Sequence, residues 1–214
     1  MGKELDIQEF MVMLHELDAA ISKSITIKAI GGFAVILNSK ALGLEVERKS
    51  KDLDSLTKTW ESGHDNLGYG DIMEIVELNK KIDNIVWEIG NRHGCSESDG
   101  WLNNSWYDSK LFNDELEKYV EWIEYTEEKF AHISLMYADL ESLFLFKMRA
   151  INDIVSGKSS IHQEVRNNDV YDVLNILKIF NEKDVRNIKH PKLALALSMY
   201  EPAVEWIAEN ARLF

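Results

Sequence analysis

Apolar spacing divides the chain into a front part that mixes helical and extended patterns and a back part that is helical. Ile7, Phe10, Leu14, Leu17 and Ile21 recur at intervals of three and four, on one face of an amphipathic helix. Ser22 to Ser24 break that pattern. Ile25-Thr26-Ile27-Lys28-Ala29-Ile30 is rich in β-branched residues and predicts a strand. Gly31-Gly32 follows, and Phe33-Ala34-Val35-Ile36-Leu37 then predicts a buried helix. Leu42 to Glu47 reads as a loop. Asp52-Leu53-Asp54-Ser55-Leu56 alternates polar and apolar residues, as a second strand would.

From Asp71 to Asn91 a second amphipathic helix is predicted, with Ile72, Ile75, Val76, Ile82, Val86 and Ile89 inward and Asp71 as its N-cap. Gly94 to Lys110 is a polar loop carrying Trp101 and Trp106. Glu115 to Lys129 is charged and mixed, and Phe130 to Tyr137 predicts a strand. Leu140 to Val155 is an apolar helix interrupted by Lys147 and Arg149. Asp169 opens another, with Val170, Val173, Leu174, Leu177 and Phe180 inward. Glu182 to His190 and Ser198 to Leu213 complete the helical set. The expected class is α+β, a small mixed sheet flanked by helices with a helical C-terminal half. The expected division is an α+β core over 1–138 and a helical region over 139–214, packed on that core.

Two features in the front part carry candidate chemistry. Carboxylates at i and i+2 of a strand point to one face, so Asp52 and Asp54 form an oxygen-rich patch suited to Mg²⁺ or Mn²⁺. Alone, such a pair also describes a solvated strand surface. A Gly-Gly turn between strand and helix lets backbone approach a phosphate, with the helix N-terminus aimed at it. Alone, Gly31-Gly32 also describes an ordinary tight turn. Their order, glycine turn before D-x-D strand, suits metal-assisted transfer of a nucleotidyl group.

On these residues the chain resembles the polymerase-β-like nucleotidyltransferase superfamily. The matching stretches are Ile30-Gly31-Gly32-Phe33-Ala34-Val35-Ile36-Leu37 and Ser50-Lys51-Asp52-Leu53-Asp54, with 19 residues between Gly32 and Asp52. It looks most like the bacterial branch that includes AbiEii-type toxins. Two further elements resemble that branch. Gly100-Trp101-Leu102-Asn103 matches a Trp-Leu-Asn element. Leu143-Phe144-Leu145-Phe146-Lys147-Met148-Arg149-Ala150, followed by Asn168-Asp169-Val170-Tyr171-Asp172, matches a Lys helix and an Asp that opens the next helix. Lys147 and Asp169 stand 22 positions apart.

The resemblance implies a set of roles. Asp52 and Asp54 hold Mg²⁺, which bridges the phosphates of a nucleoside triphosphate. Gly31 and Gly32 offer backbone donors to the terminal phosphates, and Lys51 and Lys147 bind the nucleotide. Lys147 neutralises charge on the departing pyrophosphate. Asp169 orients Lys147 or assists proton removal from an acceptor hydroxyl on RNA, a protein or a small molecule, and Asp172, one turn on, is a substitute for it. Arg149 is a further phosphate-contact candidate. The toxin-like branch also implies a cognate antitoxin protein as partner. The chain departs from the pattern at the third metal carboxylate, which the Phe130 to Tyr137 strand does not offer at the expected alternation; Asp139 only follows it. The basic residues after the Lys helix are reduced to Lys158 and Arg166. These departures motivate a second reading, a non-catalytic protein that binds a nucleotide or a partner on the same fold. Lys147 also has a plain reading as a core lysine paired with a carboxylate, and Asp169 one as a helix cap.

Composition narrows the partners. The formal net charge is −13, which opposes non-specific attraction to nucleic acid. An RNA acceptor would need a local basic patch. The single cysteine, Cys95, excludes an internal disulfide. The N-terminal residues contain no apolar signal core, and no apolar run is long enough to span a bilayer, so a cytoplasmic protein with no membrane contact is expected. Trp87, Trp122 and Trp206 read as core residues on helices, whereas Trp101 and Trp106 lie where they would cover a nucleotide or a partner surface.

Overall fold

The computed structural model describes residues 3–44, 49–56, 69–95, 100–103, 119–159 and 164–211, with backbone alone for 69–75. The class is α+β, with one mixed five-stranded sheet and, among the described residues, seven α-helices. Two compact units divide the chain, Met1–Asp139 and Leu140–Phe214.

In the first unit, α1 (Ile7–Ala20) starts at a capping box. Asp6 Oδ1 accepts from the Glu9 amide at 2.9 Å, and Glu9 Oε2 accepts from the Asp6 amide at 3.0 Å. β1 (Ile25–Ile30) runs directly into α2 (Gly31–Ala41), which is buried from Gly32 to Ser39, as an all-round apolar helix must be. β2 (Leu53–Ser55), α3 (Tyr69–Arg92), β3 (Leu102–Asn103), β4 (Trp122–Glu124) and β5 (Ile133–Ala138) follow. The strand order is β3-β2-β1-β5-β4. β1 pairs parallel to β5 and antiparallel to β2, β2 pairs parallel to β3, and β4 pairs antiparallel to β5.

Register assigns the two faces of the sheet, because residues directly opposite one another share a face. Ile25, Ile27 and Ala29 of β1, with Ile133, Leu135 and Tyr137 of β5, form a buried face. Leu53, Ser55 and Leu102 continue it. The opposite face carries Lys28, Asp54, Asn103, Met136 and Trp122 partly exposed and Ser134 and Glu124 exposed. Lys28 Nζ lies 5.4 Å from the centre of the Trp122 ring, a cation–π distance. Asp18, buried near the end of α1, ties that helix to the start of β5. Its carboxylate accepts from the amides of Ala131 (2.8 Å), His132 (2.7 Å) and Ile133 (2.9 Å).

The second unit holds α4 (Leu140–Val155), α5 (Asn167–Ile179), a 3₁₀ turn (Val185–Asn187), α6 (Leu195–Met199) and α7 (Glu201–Asn210). α4 packs against α5, α6 and α7. Pro202 stands in the first turn of α7, where its missing N–H costs nothing.

Several local expectations are corrected. α3 begins at Tyr69, so Asp71 is inside the helix rather than its cap. On that helix Ile82, Val86 and Ile89 are buried, but Val76 is 38% and Trp87 52% exposed, because an amphipathic pattern gives a stripe whose edges reach solvent. The segment read as a loop contains β3, and the charged segment contains β4. Both are too short to show a period. Within Glu182 to His190 the helical part is a 3₁₀ turn at Val185–Asn187, and Asp169 sits in the first turn of α5, with Arg166 at the N-cap. Residues 45–47 of the predicted loop, Trp106 and the side chains of Ile72 and Ile75 lie outside the described residues.

Candidate nucleotide and metal site

Gly31 is where β1 becomes α2. Its φ is +66°, a left-handed conformation that glycine adopts at no steric cost. A side chain there would also have no room. A Cβ on Gly31 would overlap Asp54 Oδ2 and stand 3.2 Å from Asp54 Cγ. The β1–β2 register explains the closeness, since Ile30 is directly opposite Asp54. The glycine turn and the second carboxylate of the D-x-D therefore meet at one corner of the sheet.

Asp52 precedes β2 by one residue, and both aspartates are partly exposed. The approach to Asp52 is braced. Leu5 and Ser50 exchange backbone hydrogen bonds of 2.7 and 3.0 Å, and Ser50 Oγ donates to the Asp52 carbonyl at 2.9 Å. On the far side of β2, the Asn103 amide donates to Asp54 Oδ1 at 3.3 Å. Lys51 is exposed beside the pair. The Asp54 carboxylate beside a position with no side chain offers the hard oxygen ligation that a small divalent cation takes, and Asp52 would be the second ligand. Among the described residues, no group of three or more His, Cys, Asp or Glu side chains is arranged to hold a metal.

Trp101 corrects an expectation. It is fully buried, and its indole N–H donates to the Val86 carbonyl at 2.8 Å. A Cβ on Gly90 would come within 3.1 Å of the indole, so that glycine admits the ring. Trp101 is an anchor between α3 and β3, not a cover for a nucleotide. Its carbonyl also accepts from the Leu53 amide at 2.7 Å.

Lys147 and Asp169 are brought together within the second unit. Lys147 is 8% exposed although it sits on an apolar helix, and its Nζ is 2.5 Å from Asp169 Oδ1 and 3.1 Å from Asp172 Oδ2. Asp169 and Asp172 are three residues apart on α5 and so share a face. Arg166 Nε reaches Asp169 Oδ2 at 2.8 Å. Burial pushes the Asp169 carboxyl up, but Lys147 and Arg166 outweigh it and hold the group below the ordinary aspartate value. The cluster sets two cations against two carboxylates, which is what burying such charges requires. Arg149 is engaged elsewhere, with its Nε 3.6 Å from Asp153 Oδ2 one turn along α4, and Lys158 is exposed.

The sequence did not reveal Asn103 as a contact of Asp54, because that contact depends on a pairing between distant segments. Asp172, expected as a substitute for Asp169, stands beside Lys147 together with it. No helix among the described residues is long and apolar enough to cross a membrane. No protein-family model, curated protein or solved structure matches the chain.

Proposed function

We propose that the chain is a Mg²⁺-dependent nucleotidyltransferase that moves a nucleoside monophosphate from a triphosphate to a hydroxyl of RNA, a protein or a small molecule. The observation that carries this reading is the closeness of Gly31 and Asp54. A left-handed glycine at the mouth of α2 offers backbone N–H groups and the positive end of a helix to phosphate. Asp54 supplies carboxylate oxygens at the same corner, and Asp52, two residues before it, is the second proposed ligand. When bound, the cation withdraws charge from phosphate oxygens and so favours attack at the α-phosphate. In this reading Gly31 and Gly32 orient the phosphates and Lys51 adds positive charge beside them; the resemblance implies a pyrophosphate role for Lys147, which the structure pairs with Asp169 and Asp172 inside the second unit. The resemblance to the toxin-like branch supports a cognate antitoxin as partner.

The test is transfer of label from each α-labelled nucleoside triphosphate in turn, with Mg²⁺, to total RNA and to cell protein. Transfer that falls to background in both Asp52→Ala and Asp54→Ala, with circular dichroism unchanged, supports the reading and identifies nucleotide and acceptor. Nucleotide binding by calorimetry without transfer would replace it with a binding protein on this fold. An outcome with neither binding nor transfer would leave a partner-binding protein on this fold.

A further inference from the structure

Asp54 is gripped from two sides by groups of different chemistry. Gly31 lies against Oδ2, and the Asn103 side chain donates to Oδ1. The donor at Asn103 must be the amide nitrogen, because an ionised carboxylate only accepts. Asn103 is itself placed by a rigid chain of contacts. The buried Trp101 is fastened to α3 through Val86, and its carbonyl takes the Leu53 amide. β3 then runs parallel to β2 with Leu102 opposite Leu53 and Asn103 opposite Asp54. The buried residues of this segment fasten it to the core, while Asn103 is partly exposed and turned to the same face as Asp54.

We infer that Asn103 is a positioning residue: its amide fixes Asp54 through Oδ1, so that Oδ2 is presented beside the Gly31 turn to a divalent cation. The inference rests on the metal-dependent reading above and adds the residue that aims the carboxylate. Only some orientations of a strand carboxylate present an oxygen at the turn. Fixing one orientation before the cation arrives lowers the entropic cost of binding it, as outer hydrogen-bond partners of metal ligands commonly do.

The test is Mn²⁺ binding to the full chain, followed by electron paramagnetic resonance without nucleotide, beside thermal unfolding. The variants are Asn103→Ala, Asn103→Gln and Asp54→Ala. Glutamine keeps the amide N–H donor without adding a ring nitrogen that could itself bind the metal. The expected result is Mn²⁺ binding about tenfold or more weaker in Asn103→Ala. The unfolding midpoint should be unchanged, and Asn103→Gln should recover part of the affinity. Wild-type affinity in Asn103→Ala would overturn the inference and leave the transferase reading standing. Equal loss in Asn103→Ala and Asn103→Gln, with lowered midpoints, would make Asn103 a structural residue only and would also overturn it. Wild-type protein binding Mn²⁺ no better than Asp54→Ala would overturn the inference and the metal reading together.

Discussion

Gly31 is a residue at which two demands coincide, a positive φ and an absent side chain. Gly31→Ala meets both penalties, left-handed backbone and a Cβ inside the Asp54 carboxylate. The expected loss is about 1–3 kcal/mol in urea unfolding, with Mn²⁺ binding reduced because Asp54 must move. Loss of stability without loss of binding would separate the turn from the site. Lys147 is the matching test in the second unit. Lys147→Met leaves Asp169 and Asp172 buried with Arg166 as their remaining named cation, and should cost about 3–5 kcal/mol. The pH dependence follows from the same contacts. Because Asp169 is held below its ordinary value, it contributes stability that is fully present above about pH 4 and is lost as pH falls through the lowered value. In Lys147→Met the main opposing charge is gone and burial acts with less opposition, so acid unfolding should begin at higher pH. An acid-unfolding midpoint that does not move would show that Lys147 does not set the Asp169 carboxyl.

At the scale of elements, the structure shows which contacts hold the candidate corner. Trp101→Phe keeps most of the ring and removes the N–H that reaches Val86. It should cost about 1–2 kcal/mol, and the missing donor should loosen β3 before the rest of the sheet. Hydrogen exchange at the β2–β3 ladder is the measurement, and unchanged protection there would refute the anchor role. Legibility in the sequence followed element length and pattern. α1, β1 and α4 were readable nearly to the residue, because each has a long period and a clear break at its end. β3 and β4 were not, because strands of two and three residues hold no alternation to read and form only where a neighbour offers an edge. The start of α3 was misplaced because a carboxylate that looks like a cap is also at home in a helix's first turn.

At the scale of the whole chain, the order of Gly31-Gly32 and Asp52-Leu53-Asp54 was legible, and so was a lysine stranded in an apolar helix. What brings Gly31 against Asp54 was not, because it is set by antiparallel pairing across a long connection. The presence of Asn103 on the same face depends on a second pairing, made by another distant segment. Net charge, by contrast, needs no structure and makes a prediction of its own. At −13 the chain's long-range field repels a nucleotide or an RNA, while the phosphate contacts proposed for the candidate corner would act only at short range. Raising ionic strength from about 0.01 M to about 0.15 M shortens the screening length from ~30 Å to ~8 Å. That removes the repulsion felt by an approaching nucleotide and leaves contacts of a few ångströms largely intact. Nucleotide association measured by stopped flow should therefore speed up with salt, opposite to the behaviour of proteins that draw nucleic acid in by basic surface. A rate that falls steeply with salt would mean that a local basic funnel outweighs the net charge. RNA would then become the favoured acceptor.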